Sequence, residues 1–360
     1  MLYINGSFVG KRITGTQRFA IEITKHLIGR EPVRVLVARG VDLPEWLNER
    51  SVIWVPSLGC SRLSLFLTYW VFAPFYLNGF AKGVVWSPCN VGSIFFRNNM
   101  VTIHDMSVLF NPKWFSRGFV ALYRMCFAWY SFTRPIVTTD SLFSKSEIQK
   151  YYPALKSMVS VVGCGVSAAA VPSESSELSV KQKVPAKFIL SVASIDPRKN
   201  LSHIVSAWGM IPFESKVDFV LVLVGGGSKV FSSGIIMTSS SDVIKLGYVN
   251  DDELAALYKM AHCVVAASSY EGFGLPIVEA AAYRTPVICS NIPVFVEVGG
   301  EDVTYFNLGD LGDLSKQIAL CIGMPKRTHS GGRNYTQTWT GAADSIWGLY
   351  ESSVGRASII

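Results

Sequence analysis

Short apolar runs alternate with amphipathic stretches along most of the chain, and this alternation limits the fold more than any other feature. The runs are near-continuously apolar, which is typical of parallel strands that are covered on both faces. Examples are residues 33–37, 83–87, 100–105, 135–140, 187–194, 219–226, 242–247, 263–268 and 286–290. Stretches with helical spacing lie between them, such as residues 15–29, 252–261 and 276–283. The alternation predicts open, doubly wound α/β sheets.

The length predicts two domains, because 360 residues are more than twice the roughly 150 of an average domain. Residues 167–183 are rich in Ser, Ala and Glu, which favours a linker. We therefore predict an N-terminal domain over 1–175 and a C-terminal domain over 176–339. The helical pattern of 336–350 predicts a last helix, at about 340–360, that is a candidate to pack back on the first domain.

Composition and charge exclude several classes of protein. A chain with 49% hydrophobic and 16% charged residues is neither disordered nor fibrous. Residues 1–182 hold 19 Lys and Arg against 10 Asp and Glu, whereas residues 183–360 hold 14 against 16. The basic first half predicts an anionic partner, such as a phosphate group or a membrane surface. We expect no nucleic-acid partner, because there is no dense basic run or nucleic-acid motif.

The sequence favours the cytoplasm, with one segment pointing to a membrane surface. The seven cysteines form no C-x-x-C pair, and the N-terminus has no apolar signal core. Residues 63–81 carry no charge, but Pro74 and Asn78 interrupt the run. This favours a buried or interfacial helix over a membrane span. The residues expected to face lipid are Trp70, Phe72, Phe75 and Tyr76.

The segment SSYEGFGLPIVE, residues 268–279, carries the most specific chemistry. It joins a predicted strand to a helix that begins near Pro276, and the free N–H groups of a helix start suit an anion such as a diphosphate. Gly272 and Gly274 allow close approach of a ligand. Glu271 and Glu279 provide acceptors for sugar and ribose hydroxyls. From the residues alone, a structural turn with two solvated glutamates is an equal alternative.

A second cluster, DPRKN at 196–200, follows another predicted strand. Arg198 and Lys199 are suited to phosphate oxygens at the carboxyl end of a parallel strand, although a solvated basic turn is the simpler alternative. The glycines at 225–227 give a weaker indication of close approach to a ligand.

In the first half, Gly15 and Arg18 lie at a glycine-containing helix start, and His104 ends a predicted strand. A histidine there is well placed to bond a substrate or move a proton, and a buried structural histidine is the alternative. The remaining histidines lack the spacing of a metal site, so we predict none.

These segments together resemble the retaining GT-B glycosyltransferases of family 4, the "glycosyl transferases group 1" family. The resemblance covers most of the chain and is strongest over 246–300, where Glu271 and Glu279 form the family's E-x7-E element. ASIDPRKNL resembles the family's basic motif, and TGTQRFAIEI its N-terminal glycine loop. TIHDMSVLFNPKWFS and TTDSLFSKSEI also match the pattern of its N-terminal domain.

The resemblance implies an α/β protein with two Rossmann-like domains that face each other across a cleft. The donor would bind to the C-terminal domain and the acceptor to the N-terminal domain. Glu279 would bind the donor ribose, and Glu271 with the backbone of Gly272, Phe273 and Gly274 would hold the transferred sugar. The Leu275 N–H, Arg198 and Lys199 would meet the diphosphate. His104 would bond the sugar near its reacting end, Gly15 would let its loop approach the phosphates, and Arg18 would support that loop or touch a substrate.

The resemblance further implies a metal-independent, retaining hexosyltransferase without a cofactor. We predict transfer of mannose or rhamnose from a GDP-, dTDP- or UDP-sugar to a lipid-linked glycan at the inner membrane face, in O-antigen or exopolysaccharide assembly. Two alternatives stay open: another GT-B enzyme, such as a nucleotide-sugar epimerase or a phosphorylase, and a catalytically silent partner subunit.

Overall fold

Two structural units, each built around one parallel sheet, make up the protein. The computed structural model describes residues 1–57, 59, 62–74, 83–92, 95–96, 98–166, 171–226, 240–326 and 337–357. Unit 1 comprises Met1–Leu109, Val120–Gly165 and Gln337–Ile360. Unit 2 comprises Phe110–Phe119 and Val166–Thr336.

The sheet of unit 1 is formed by short, largely buried strands. They are β1 (Leu2–Asn5), β2 (Val33–Ala38), β3 (Val52–Val55), β4 (Val84–Ser87), β5 (Asn99–Thr102), β6 (Ile136–Thr139) and β7 (Val159–Val161). Their order is β3-β2-β1-β4-β5-β6-β7 with parallel pairing, and Ile4 of β1 lies between Val35 and Trp86. The chain runs outward from β1 to β3 and then from β4 to β7, so the order reverses between β1 and β4.

Helices connect these strands as in a doubly wound sheet. They are α1 (Gly15–Leu27), α2 (Arg62–Leu67, continued by a π-helical turn over Thr68–Phe72), α3 (Ser107–Phe110), α4 (Arg117–Thr133) and α5 (Leu142–Tyr151). The core beside β5 and β6 contains Val101, Cys126, Phe127 and Tyr130. The buried face of α4 therefore anchors this half of the sheet.

Unit 2 repeats the plan with its own sheet and helices. Its strands are β8 (Phe188–Val192), β9 (Val220–Val224), β10 (Val243–Gly247), β11 (Cys263–Ala266), β12 (Val287–Ser290) and β13 (Thr304–Phe306). The order is β10-β9-β8-β11-β12-β13, again parallel, with the reversal between β8 and β11. Its helices are α6 (Glu174–Lys183), α7 (Leu201–Met210), α8 (Asp251–Met260), α9 (Leu275–Ala282), α10 (Pro293–Gly299) and α11 (Leu311–Ile322).

The boundaries of the units differ from those drawn from the sequence. Unit 2 includes Phe110–Phe119, its main segment begins at Val166 instead of 176, and the predicted linker contains α6. This helix forms because Ser173 caps it through a hydrogen bond from the Ser176 N–H at 3.2 Å and Asp252 accepts from the Ser173 N–H. The last helix, α12 (Trp339–Ala357), lies in unit 1.

The lipid-facing role expected for Trp70 is wrong. Trp70 is only 7% exposed, since it packs in the unit 1 core with Cys126 and Phe127. Phe75 and Tyr76 lie outside the described residues. In the part of the chain that the structure describes, none of the helices has the length and apolarity needed to cross a membrane.

Candidate active site

The loop between β11 and α9 is shaped by one glycine. Gly274 has φ of 110° and forms the N-cap of α9. A Cβ at this position would lie 2.8 Å from Cε1 of Phe295, which is buried. Only glycine satisfies both the left-handed backbone and the close contact. The close neighbour of Gly274 is thus Phe295, and the expected approach of a ligand to this glycine stays a prediction.

Glu271 lies in this loop and is held by two donors. Its Oε1 accepts a hydrogen bond from Lys199 Nζ and another, at 2.7 Å, from Ser268 Oγ. The side chains of Lys199 and Glu271 are only 18% and 12% exposed. The structure thus brings together two residues 72 positions apart in the sequence that were predicted to serve the same ligand.

Lys199 is positioned by a short 3₁₀ turn, Pro197–Lys199, with four residues between it and the end of β8. Asn200 follows with φ of 49°, and its Nδ2 donates to the Ala267 carbonyl at 3.0 Å. The Ser269 N–H donates to the Arg198 carbonyl at 2.7 Å. These bonds join the basic turn to the loop that carries Glu271, so the two motifs form one structural assembly.

Arg198 is paired within its own turn, and its contact with a diphosphate stays a prediction. Its Nη2 and Nε donate to Asp196 Oδ2 at 2.7 and 2.9 Å, and Asp196 is fully buried. The guanidinium carbon also lies 5.7 Å from the ring centre of Phe115. This bidentate pair fixes the turn. Of the two adjacent cations, Lys199 is the one that lines the pocket described next.

A small pocket lies at the carboxyl ends of β8 and β11. Its lining residues are Ser191, Val192, Ala193, Lys199, Ala266, Ala267, Ser268, Glu271, Pro276 and Phe295. The strand order of unit 2 reverses between these two strands. Open α/β sheets bind ligands at this switch point. The pocket, the ion pair and the start of α9 therefore coincide with the place where the fold favours a ligand.

Glu279 and Gly225, which follows β9, are the remaining predicted residues of unit 2 that the structure describes. The Tyr258 hydroxyl donates to Glu279 Oε2 at 2.7 Å, which orients this half-buried carboxylate from the neighbouring α8. Gly225 has φ of 129°, and a Cβ there would lie 2.0 Å from the Ala193 carbonyl oxygen. The glycine thus brings β9 against the pocket-lining end of β8, while Gly227 lies outside the described residues.

In unit 1, the candidate residues gather near His104. The imidazole bonds the Asp140 carboxylate and the Pro88 carbonyl, and its ring centre lies 4.9 Å from that of Phe19 on α1. Gly15 is the exposed first residue of α1, and the Arg18 N–H donates to the Thr14 carbonyl at 2.8 Å. The first turns of α1 and His104 are thus neighbours, and the roles predicted for Gly15 and Arg18 remain predictions.

Sequence reasoning missed the partners that orient the predicted residues. Ser268, Tyr258, Asp140 and Asp196 each bond one of them. Ser268 and Asp196 lie within three positions of their partners, whereas Tyr258 and Asp140 lie 21 and 36 positions away. Within the described residues, no group of three His, Cys, Asp or Glu side chains is arranged to hold a metal ion.

Comparisons with known proteins agree with this geometry. A profile of the family described as Glycosyl transferases group 1 matches residues 175–335. The O-antigen chain mannosyltransferase B of Escherichia coli is 29% identical over 231 residues, which cover 61% of this chain and 60% of that protein. The aligned part thus spans less than two thirds of that relative's length.

Two solved structures share the fold over nearly the whole chain. WaaG, a glycosyltransferase involved in lipopolysaccharide biosynthesis, has a TM-score of 0.66 at 16% identity, covering 100% of this chain and 99% of WaaG. HepE from Anabaena, in complex with UDP, has a TM-score of 0.64 at 16% identity with the same coverage. Two Rossmann-like parallel sheets in one chain, matched by such structures, define the GT-B fold. Within that fold class, residues 175–335 are similar to the glycosyl transferases group 1 family.

Proposed function

We propose that the protein is a retaining, metal-independent glycosyltransferase that moves mannose from a nucleotide-sugar to a lipid-linked glycan in surface polysaccharide assembly. The single observation that carries the proposal is the pocket at the switch point of unit 2, where Lys199 and Glu271 meet beside the start of α9. The mannosyltransferase name of the Escherichia coli relative favours mannose over rhamnose. The donor base stays open among GDP, dTDP and UDP, and the UDP bound to HepE supports a nucleotide diphosphate ligand.

The charges of the pocket suit departure of a diphosphate. Breaking the bond between sugar and phosphate develops negative charge on the leaving oxygens, and fixed donors in a water-poor site stabilise such charge effectively. Lys199 supplies a point charge whose position is set by Glu271, and the first turn of α9 supplies a helix N-terminus. Because these groups stabilise the leaving group directly, the proposed reaction needs no bound metal.

The carboxylates of unit 2 are proposed to bind and not to attack. The carboxylate oxygens of Glu271 are suited to accept hydrogen bonds from the hydroxyls of the transferred sugar, and those of Glu279 from the ribose hydroxyls. Both carboxylates are already oriented by hydrogen-bond donors. Retention of configuration then follows from attack by the acceptor hydroxyl on the face that the diphosphate leaves, with a donor phosphate oxygen taking the proton. This differs from a retaining hydrolase, in which a carboxylate forms a covalent intermediate.

Calorimetry with GDP, dTDP and UDP tests the donor site. We expect one nucleotide to bind clearly better than the others, and Lys199→Met to weaken that binding by at least about tenfold, the loss of one charge-assisted hydrogen bond. Lys187→Met is the matched control, because Lys187 forms an exposed pair with Asp218 in the same unit. Failure of all three nucleotides to bind would contradict the proposal.

Steady-state kinetics separate binding from chemistry. Glu279→Ala should raise the donor KM about tenfold or more with little change in kcat, because it removes binding shared by ground and transition states. Lys199→Ala should lower kcat strongly. Product NMR showing inversion at the anomeric carbon would refute retention, and activity lost to a chelator and restored by a divalent ion would refute metal independence.

We place the proposed membrane contact on α4 instead of residues 63–81, because Trp70 in that segment is buried. The outer face of α4 exposes Met125, Trp129 and Phe132, at 51%, 39% and 80%. Arg124 and Arg134 are exposed beside them. Exposed aromatic side chains flanked by cations are typical of surfaces that bind anionic lipid headgroups.

Vesicle sedimentation tests this surface. The double variant Trp129→Ser/Phe132→Ser should lose most binding to anionic vesicles. Phe213→Ser is the control, since Phe213 is 69% exposed in unit 2. Equal vesicle binding by the double variant and the unaltered protein would refute the role of α4.

A further inference from the structure

The imidazole of His104 is held on three sides inside unit 1. Nδ1 lies 2.6 Å from Asp140 Oδ2, and Nε2 lies 2.8 Å from the Pro88 carbonyl oxygen. The edge of the ring meets Phe19, and the side chain is only 8% exposed. The backbone of His104 is fixed as well, because its N–H donates to Asn90 Oδ1 at 2.7 Å and its carbonyl accepts from Ser144 Oγ at 2.9 Å.

The hydrogen-bond partners of the two ring nitrogens determine which of them carry a proton. A peptide carbonyl can only accept, so Nε2 must carry a proton to bond Pro88. An ionised carboxylate also only accepts, so Nδ1 must then carry a proton to bond Asp140. With Asp140 ionised, His104 is therefore an imidazolium that donates from both nitrogens. The neutral alternative needs a protonated Asp140 that donates to Nδ1.

The surroundings favour the charged pair. Asp140 is 5% exposed, and its Oδ1 has no hydrogen-bond partner among the described residues. A buried carboxylate bonded through one oxygen needs a neighbouring positive charge. Burial lowers the pKa of His104, but the charge and hydrogen bond of Asp140, the Pro88 carbonyl and the charge of Asp105 outweigh it, so the net pKa is raised. Phe19 contributes an apolar ring and no charge on the remaining side.

We propose that Asp140 is a positioning residue that keeps His104 as an imidazolium and so presents Nε2–H as a charged donor to a sugar hydroxyl. The inference rests on the proposed function, together with the contact to the sugar that the family resemblance implies for His104. On binding, the sugar hydroxyl would take the place of the Pro88 carbonyl as acceptor, so one hydrogen bond replaces another and the proton stays on Nε2. A charged donor forms a stronger bond than a neutral one.

Nitrogen-15 NMR of the imidazole in the full-length protein tests the proton count without turnover. In the unaltered protein we expect both nitrogens of His104 to stay protonated at pH 8. In Asp140→Asn, burial still lowers the pKa of His104 and the main group that raises it is gone, so one ring nitrogen should have lost its proton at pH 8. Asp105→Asn is the matched control, because it removes a nearby negative charge and leaves the Asp140 bond in place, so both nitrogens should remain protonated at pH 8.

Kinetics provide the second readout. At pH 8, Asp140→Asn should lower kcat by about tenfold or more, the value of one charged hydrogen bond, with the donor KM changed by less than about twofold. The loss of kcat should become smaller as the pH falls and the imidazole of the variant takes up its second proton. A purely structural role would lower activity equally at all pH values and would overturn the inference. A singly protonated His104 at pH 8 in the unaltered protein would also overturn it, whether or not the protein transfers any sugar.

Discussion

At the scale of single residues, the geometry of the donor loop depends on Gly274. The left-handed φ of 110° and the 2.8 Å approach to Phe295 both act against any side chain at this position. We expect Gly274→Ala to lower the free energy of unfolding by about 1–3 kcal/mol, the usual range for strained backbone. The same variant should weaken nucleotide binding, because the loop would shift and move Glu271 relative to Lys199.

Urea denaturation followed by fluorescence measures the first effect, and Gly209→Ala is the matched control. Gly209 lies within α7 of the same unit, where a Cβ would meet nothing within 4 Å. Alanine should therefore stabilise that helix by up to about 1 kcal/mol. Equal stability changes in the two variants would show that the conformation of Gly274 carries no special cost.

At the scale of secondary-structure elements, a buried lysine joins α7 to β10. Lys216 Nζ lies 2.8 Å from Asp242 Oδ2 and donates to the Trp208 carbonyl at 2.9 Å, and the Trp208 Nε1–H also donates to Asp242. Burial raises the pKa of Asp242, but the hydrogen bonds from Lys216, Ser240 and Trp208 and the charge of Lys216 lower it overall. The carboxylate thus stabilises the fold at neutral pH.

We expect Asp242→Asn to lower the free energy of unfolding by about 3 kcal/mol at pH 7, because it leaves Lys216 without its counter-ion. The folded pKa of Asp242 lies below the unfolded value of about 3.9, so its contribution is complete above that value and is lost as the pH falls through the folded pKa. The difference between variant and unaltered protein should accordingly shrink below about pH 4.

Denaturation at several pH values, with Asp218→Asn as control, tests whether the loss of stability in Asp242→Asn becomes smaller as the pH falls. Asp218 pairs with Lys187 at 2.9 Å, but both side chains are more than half exposed, so its loss should cost less than about 1 kcal/mol. If the free energy of unfolding of Asp242→Asn stayed equally far below that of the unaltered protein down to acid pH, the stabilising role of the ionised Asp242 would be contradicted.

The elements that the sequence predicted are those with strong local patterns. The apolar runs that became β2, β8 and β9 were found because both faces of these strands are buried. The sequence missed four strands: β1, β3, β7 and β13. The partly exposed residues of the edge strands β3, β7 and β13 interrupt the apolar pattern, whereas β1 is fully buried and only four residues long. In the site, Lys199 and Glu271 were found from their motifs. Asp140 and Tyr258 were missed, because a hydrogen bond between distant residues leaves no periodic trace in the sequence.

At the scale of the whole molecule, the chain returns to unit 1 through α12. Trp339 at its start is 6% exposed, and its ring centre lies 6.3 Å from that of Phe19. Ile346 is fully buried further along the helix. A Cβ on Gly165, at the end of the first pass through unit 1, would lie 2.1 Å from the Trp339 backbone nitrogen. The last helix is therefore part of the core of unit 1, although the residues between Gly165 and Gln337 belong to unit 2.

This arrangement predicts that a destabilising substitution in α12 also destabilises the sheet of unit 1. Ile346→Asp buries a charge, so hydrogen exchange should accelerate in peptides from β1, β4 and α1, while peptides from β8 and β11 keep their protection. Ser352→Asp, on the exposed side of α12, should leave exchange unchanged in both units. Because Phe19 contacts both Trp339 and His104, Ile346→Asp should also perturb the NMR signals of the His104 imidazole. If Ile346→Asp accelerated exchange only in unit 2, α12 would not stabilise unit 1 and the prediction would be wrong.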